Sequence, residues 1–108
     1  MSMDLAEKIW QIVSQWNYFE KDTIGKQIVR AVDSIGANLS EGYGRYHFKD
    51  SKNFCYFSRG SLYETKTWIN KAYHRSLIKE KEYLELKENI RVLSASLNKY
   101  INSIGKKF

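Results

Sequence analysis

From Tyr83 to Ile104 the large apolar residues fall at Tyr83, Leu86, Ile90, Leu93, Leu97, Tyr100 or Ile101, and Ile104, always three or four positions apart. That spacing is the period of an α-helix with a single apolar stripe. Sustained for about three heptads, it predicts a helix over about 80–104 packed side by side with others in a bundle. Little in the chain interrupts helix: its 108 residues include no proline and only 6 glycines.

Three more segments share the period. Leu5, Ile9, Ile12, Val13 and Trp16 stripe a helix over about 3–17. The stretch NYFEKD breaks the pattern, and Asp22 or Thr23 is placed to cap a second helix over about 22–43, striped by Ile24, Ile28, Ala31, Val32, Ile35 and Leu39. Small residues at Gly36, Ala37 and Ser40 predict that another helix approaches closely there, which would offset the ~0.5–1 kcal/mol that a helical glycine costs. Gly42 or Gly44 is expected to be the left-handed residue that ends this helix. The third helix, about 48–75, is predicted to bury Phe54, Phe57, Ser61, Thr65, Trp68, Ile69 and Ala72. The opposite side would carry Lys49, Lys52, Tyr56, Arg59, Tyr63, Lys66 and Asn70. The expected fold is all-α, a single domain over residues 1–108 built as an antiparallel up-down four-helix bundle.

The net charge of +6 is unevenly spread: residues 1–41 carry −2, residues 42–79 carry +6 and residues 80–108 carry +2. A basic middle third within a folded segment invites a polyanion or an acidic partner. No apolar run approaches the roughly 18 residues of a membrane span. MSMDLAEKIW has early acids and no apolar core of a signal peptide. One cysteine, Cys55, makes no internal disulfide. A cytoplasmic location without membrane contact is expected.

Two motifs add a resemblance. SIGANLSEGYGR at 34–45, followed by RGSLYE at 59–64, resembles the bacterial four-helix-bundle family of proteins encoded in intervening sequences of 23S ribosomal RNA genes. The accessory variability determinant of diversity-generating retroelements looks like a relative. The family pattern is matched at Ser34, Ile35, Ala37, Asn38, Glu41, Gly42, Gly44 and Arg45, and again at Gly60, Ser61, Leu62 and Glu64. Gly36 stands where the family often has proline, so a kink or close contact is expected there. The usual glycine between helices 3 and 4 is missing. The resemblance implies a homo-oligomer, most commonly a pentamer, with a basic surface. For the retroelement relatives it implies nucleic acid and a reverse transcriptase as partners.

The candidate site is the row Arg45, Lys49, Lys52, Arg59 and Lys66, with Tyr56 and Tyr63 interleaved. Lys52, Arg59 and Lys66 are seven apart, and Arg45 continues the series one step back. Such cations neutralise phosphates without reading sequence, and tyrosines stack on unpaired bases. The same residues also fit a solvated face or a subunit interface. Glu41 is expected to pair with Arg30, Arg45 or another cation, and Asn38 to bond a neighbouring helix. His47 is read as a cap or surface residue, His74 as an exposed turn residue, and Cys55 as a small buried or interface residue. Cys55, His47 and His74 lack metal-ligand spacing, and no nucleophile–base arrangement is evident, so neither an enzyme nor a cofactor is expected. Trp10, Leu84 and Val92 lie off their helices' stripes and would form a subunit contact if gathered on one side.

Overall fold

The computed structural model describes residues 2–45 and 47–104. Helix α1 is Ser2–Val13. Helix α2 opens with the turn Tyr18–Glu20, passes through a π-helical turn at Lys21–Gly25 and continues over Lys26–Tyr43, with helical dihedrals at both junctions. Helix α3 is Phe48–His74 and α4 is Glu80–Ser103. The fold is an all-α four-helix bundle, 50 × 23 × 18 Å. Helix α2 packs on α1 and α3, and α4 on α3 and, more briefly, α1.

Two boundaries differ from expectation. Helix α1 stops at Val13, and the Trp16 indole N–H reaches back to the Leu77 carbonyl at 3.0 Å, tying the end of α1 to the α3–α4 turn. The NYFEKD segment is already helical from Tyr18, with Asn17 extended before it. Thr23 is no cap; its hydroxyl donates to the Phe19 carbonyl one turn earlier at 2.8 Å. Gly25, which closes the π turn, has a packing reason. A Cβ on Gly25 would stand 2.8 Å from Val13 Cγ1 and 3.2 Å from the Glu20 carbonyl oxygen, so only glycine lets α1 close onto α2 at this point.

Helix α1 has 12 residues, about 18 Å at 1.5 Å per residue, against 27 for α3. Its contacts with Glu85, Gly25 and Leu77 place it at the end holding the α3–α4 turn. The bundle is therefore four helices thick at that end and three at the other. A three-helix core needs less side-chain volume, and the chain follows suit. The buried seam of α3 runs Ser51, Cys55, Ser58, Leu62, Thr65, Ile69, Ala72, with Ser51, Cys55 and Ser58 together at the three-helix end. It faces Leu5, Ile9, Ile28, Val32, Ile35, Leu86, Ile90, Leu93, Leu97 and Ile101 from the other helices.

This seam corrects the expected one. Phe57 is exposed, and Phe54, Ser61 and Trp68 are only half-buried. At 100° per residue the true stripe lies about 60° around the helix from the aromatic one. The close approach of α2 explains it. A Cβ on Gly42 would sit 3.3 Å from both Phe54 Cβ and the Ser51 carbonyl oxygen, and the buried Ser58 hydroxyl donates to the Ile35 carbonyl at 2.8 Å. Phenylalanine does not fit in that gap and is displaced to the flank. Gly42 makes this contact, while Ala37 and Ser40 face solvent; Gly36 is half-buried, and α2 runs past it without a break.

Helix ends also differ. Gly44 caps α2 at φ −80°, so neither it nor Gly42 is the left-handed terminator. Among the described non-glycine residues the positive φ belongs to Ser76, at 62°. There the Leu77 N–H reaches the Ala72 carbonyl and the Ser76 N–H the Tyr73 carbonyl, at 2.9 and 3.0 Å. That pair of bonds is a Schellman motif with serine in the seat that glycine favours.

Candidate nucleic-acid interface

Helix α3 is one unbroken rod from Phe48 to His74, so positions 52, 59 and 66 project in a line. Measured from the true seam, that line lies about a quarter-turn away, on the flank facing α4, rather than opposite the core. The burial agrees: Lys52 and Arg59 are half-buried and Lys66 is exposed. The Arg59 guanidinium donates to Asn98 Oδ1 of α4 at 3.0 Å and lies 5.1 Å from the Tyr56 ring centroid. Among the described residues no carboxylate lies within salt-bridge distance of Lys52, Arg59 or Lys66.

This flank forms one wall of an α3/α4 groove of about 620 Å³. Tyr63 and Lys66 line it from α3, and Lys87, Arg91 and Asn98 from α4, above a floor that includes Leu62 and Ile90. Lys87 sits 5.3 Å from the Tyr83 ring centroid. Arg91 makes two bonds to Glu88, at 2.9 and 2.6 Å, which hold that carboxyl below its ordinary range. Among the described residues Glu88 is the one acid lining the groove, and its charge is matched. Sequence reasoning missed the α4 wall. Its signal is present, since Lys87, Arg91, Ser94 and Asn98 recur three and four apart, but four glutamates in residues 80–88 hide it in a net charge.

Other candidates stand apart from the groove. Arg45 lies past the end of α2, where its guanidinium bonds Glu41 at 3.2 Å and covers the Phe54 ring at 4.5 Å. It does not extend the row. Lys49 is exposed and points away from the core, about a quarter-turn from the line of Lys52. Asn38 bonds the Ser34 carbonyl of its own helix at 2.9 Å, not a neighbouring helix. His47 occupies the N-cap position of α3, and His74 is exposed. Cys55 is buried, which pushes its thiol up. Gly60 is exposed and Ser61 half-buried. Trp10, Leu84 and Val92 are exposed but not gathered on one side: they lie along the α1/α2, α3/α4 and α1/α4 seams respectively.

The fold and the groove define a class: a basic helical bundle whose long third helix displays a row of cations beside the fourth. Its family follows from the sequence, for residues 1–99 match the 23S rRNA-intervening sequence proteins, and the chain belongs to that family. Its structure is similar to that of a protein of unknown function from the S23 ribosomal protein family of Bacteroides thetaiotaomicron, with a TM-score of 0.83 and 21% identity, covering 94% of this chain and 95% of the other. No curated protein matches the sequence significantly. Among the described residues no helix is long and apolar enough to cross a membrane.

Proposed function

We propose that this chain is a non-enzymatic, cytoplasmic, homo-oligomeric bundle, most simply a pentamer, that holds RNA or single-stranded DNA along the α3/α4 groove without strict sequence preference. One observation carries the reading: Lys66 of α3 meets Lys87 and Arg91 of α4 along a groove whose described lining contains a single acid, Glu88, matched by Arg91, and Arg59 reaches Asn98 on the same wall from the row that Lys52 continues along α3. Lys52 to Lys66 spans about 21 Å of helix, room for several phosphates. Exposed apolar residues on more than one seam suit a ring, in which each subunit needs two different contact surfaces. Repetition around a ring would multiply a weak contact per subunit.

Affinity for a labelled 20-nucleotide single-stranded RNA should fall steeply with salt, by about 0.7 log units per log unit of salt for each phosphate neutralised. Lys52→Glu, Arg59→Glu and Lys66→Glu together should abolish binding at a stability cost of about 0.5–1.5 kcal/mol, set by the lost Arg59–Asn98 bond. Undetectable binding by the unaltered protein at low salt refutes the proposal.

The exposed apolar residues Leu84 and Ala95 that line the groove favour a second reading. An acidic amphipathic helix, presented by a polymerase-like partner such as a reverse transcriptase, would set its apolar face there and its acids against the same cations. A complex with such a partner that survives nuclease treatment would distinguish it.

A further inference from the structure

The face of α3 turned farthest from the core is normally the most charged part of a bundle helix. Here it reads Asn53, Tyr56, Phe57, Gly60, Tyr63, Glu64, Thr67. Lys49 and Lys71 lie toward its two ends; between Asn53 and Thr67 its one charge, Glu64, is taken up by Arg30 of α2. Phe57 and Tyr63 are 56% and 55% exposed, and Tyr56 is exposed as well. Midway along it Gly60 is exposed, and nothing lies within 4 Å of where its Cβ would stand. The fold itself gives no packing reason for a glycine there. The result is a notch in an otherwise convex helix, with Tyr56 and Phe57 one turn before it and Tyr63 and Glu64 one turn after.

The notch adjoins the cation row. Around the helix the order is Lys52, Arg59 and Lys66, then Tyr56 and Tyr63, then Asn53, Gly60 and Thr67. A strand whose phosphates follow the cations has its bases directed across the tyrosines toward Gly60. One face of Tyr56 is covered by the Arg59 guanidinium, a cation held in place by Asn98, which leaves Tyr63 as the more open platform. Base stacking on such rings is tolerant of sequence, and a duplex keeps its bases stacked inside, out of reach.

We propose that the Gly60 notch, flanked by Tyr56, Phe57 and Tyr63, accepts an unpaired base, so that the ligand class of the groove is single-stranded nucleic acid with unstacked bases. This rests on the nucleic-acid reading above.

The test uses the full chain and three probes matched in phosphate concentration: a 20-nucleotide oligouridylate, its abasic ribose-phosphate counterpart, and an RNA duplex. The unaltered protein should bind oligouridylate at least about tenfold tighter than either other probe. Gly60→Leu fills the notch and should remove most of that preference, leave affinity for the abasic strand within about twofold, and raise the melting temperature. Tyr63→Ala should weaken oligouridylate alone. Equal affinity for oligouridylate and the abasic strand, lost on the triple Glu substitution, overturns the notch and leaves the groove standing. A lower particle mass for Gly60→Leu by light scattering also overturns it, since the face would then be a contact between copies. Failure of the unaltered protein to bind any probe removes both readings.

Discussion

The Ser58 hydroxyl donates to the Ile35 carbonyl across the α2–α3 contact, with both residues wholly shielded from solvent. The bond fixes the register of the two helices within the continuous buried seam that runs from Ser51 to Ala72. Ser58→Ala removes one net hydrogen bond and should cost about 0.5–1.5 kcal/mol. Ser58→Leu adds volume where none is available and should cost more, about 1–3 kcal/mol. Urea denaturation of the two variants checks the order; a leucine variant as stable as the alanine one would show that the helices can separate there freely.

The same contact explains which part of the fold was legible in the sequence and which was not. The stripes of α1, α2 and α4 are built mainly from Leu, Ile and Val, and the structure buries most of them, with Ile12, Trp16, Leu39, Tyr83, Tyr100 and Ile104 half-buried against the core. In α3 the largest apolar residues mislead. Ser51, Cys55 and Ser58 carry no strong hydrophobic signal, yet they are core because the three-helix end is narrow. The error moved the cation row from a flank to the far side, and so hid the α4 wall at Lys87, Arg91 and Asn98. Spacing alone fixes which residues share a face. It does not say how near the next helix comes, and that distance decides whether Phe57 or Ser58 turns inward.

Ser76 holds the left-handed position of the α3–α4 turn at φ 62°. A side chain in that region costs roughly 1–2 kcal/mol, part of which glycine returns as backbone entropy in the unfolded chain. Ser76→Gly should therefore stabilise the protein by about 1 kcal/mol, seen as a higher midpoint of urea unfolding. Ser76→Val, branched at Cβ, should lower it. No change in either variant would mean that the turn relaxes out of the left-handed region.

Two glycines should respond to alanine with opposite signs. At Gly25 the added methyl meets Val13 Cγ1 at 2.8 Å and a backbone oxygen at 3.2 Å. Val13 is itself buried and has no room to withdraw, so Gly25→Ala should destabilise by about 1–3 kcal/mol. At Gly60 the methyl meets nothing, and Gly60→Ala should stabilise the helix by about 0.5–1 kcal/mol. Thermal unfolding of the two variants beside the unaltered protein reads both signs at once.

Tyr100 leans on Tyr43 at the three-helix end, with ring centroids 5.5 Å apart. Burial, then hydrogen bonding with Tyr43 and repulsion from its charge, push the Tyr100 phenol from 10.0 up to about 12. The neighbouring Cys55 raises it further and a bond with Ser51 opposes the rise. Below pH 10 the phenol is protonated in both folded and unfolded chains, so its contribution to stability is fully present. Between pH 10 and 12 the unfolded chain releases the proton while the folded one retains it, and that contribution is lost as pH rises. Absorbance titration of the 8 tyrosines should show a phenolate forming near pH 12 that Tyr100→Phe removes. Stability of the unaltered protein should also fall more steeply than that of Tyr100→Phe over this interval. Parallel pH profiles for the two proteins would place Tyr100 in ordinary contact with water and sever its link to Tyr43.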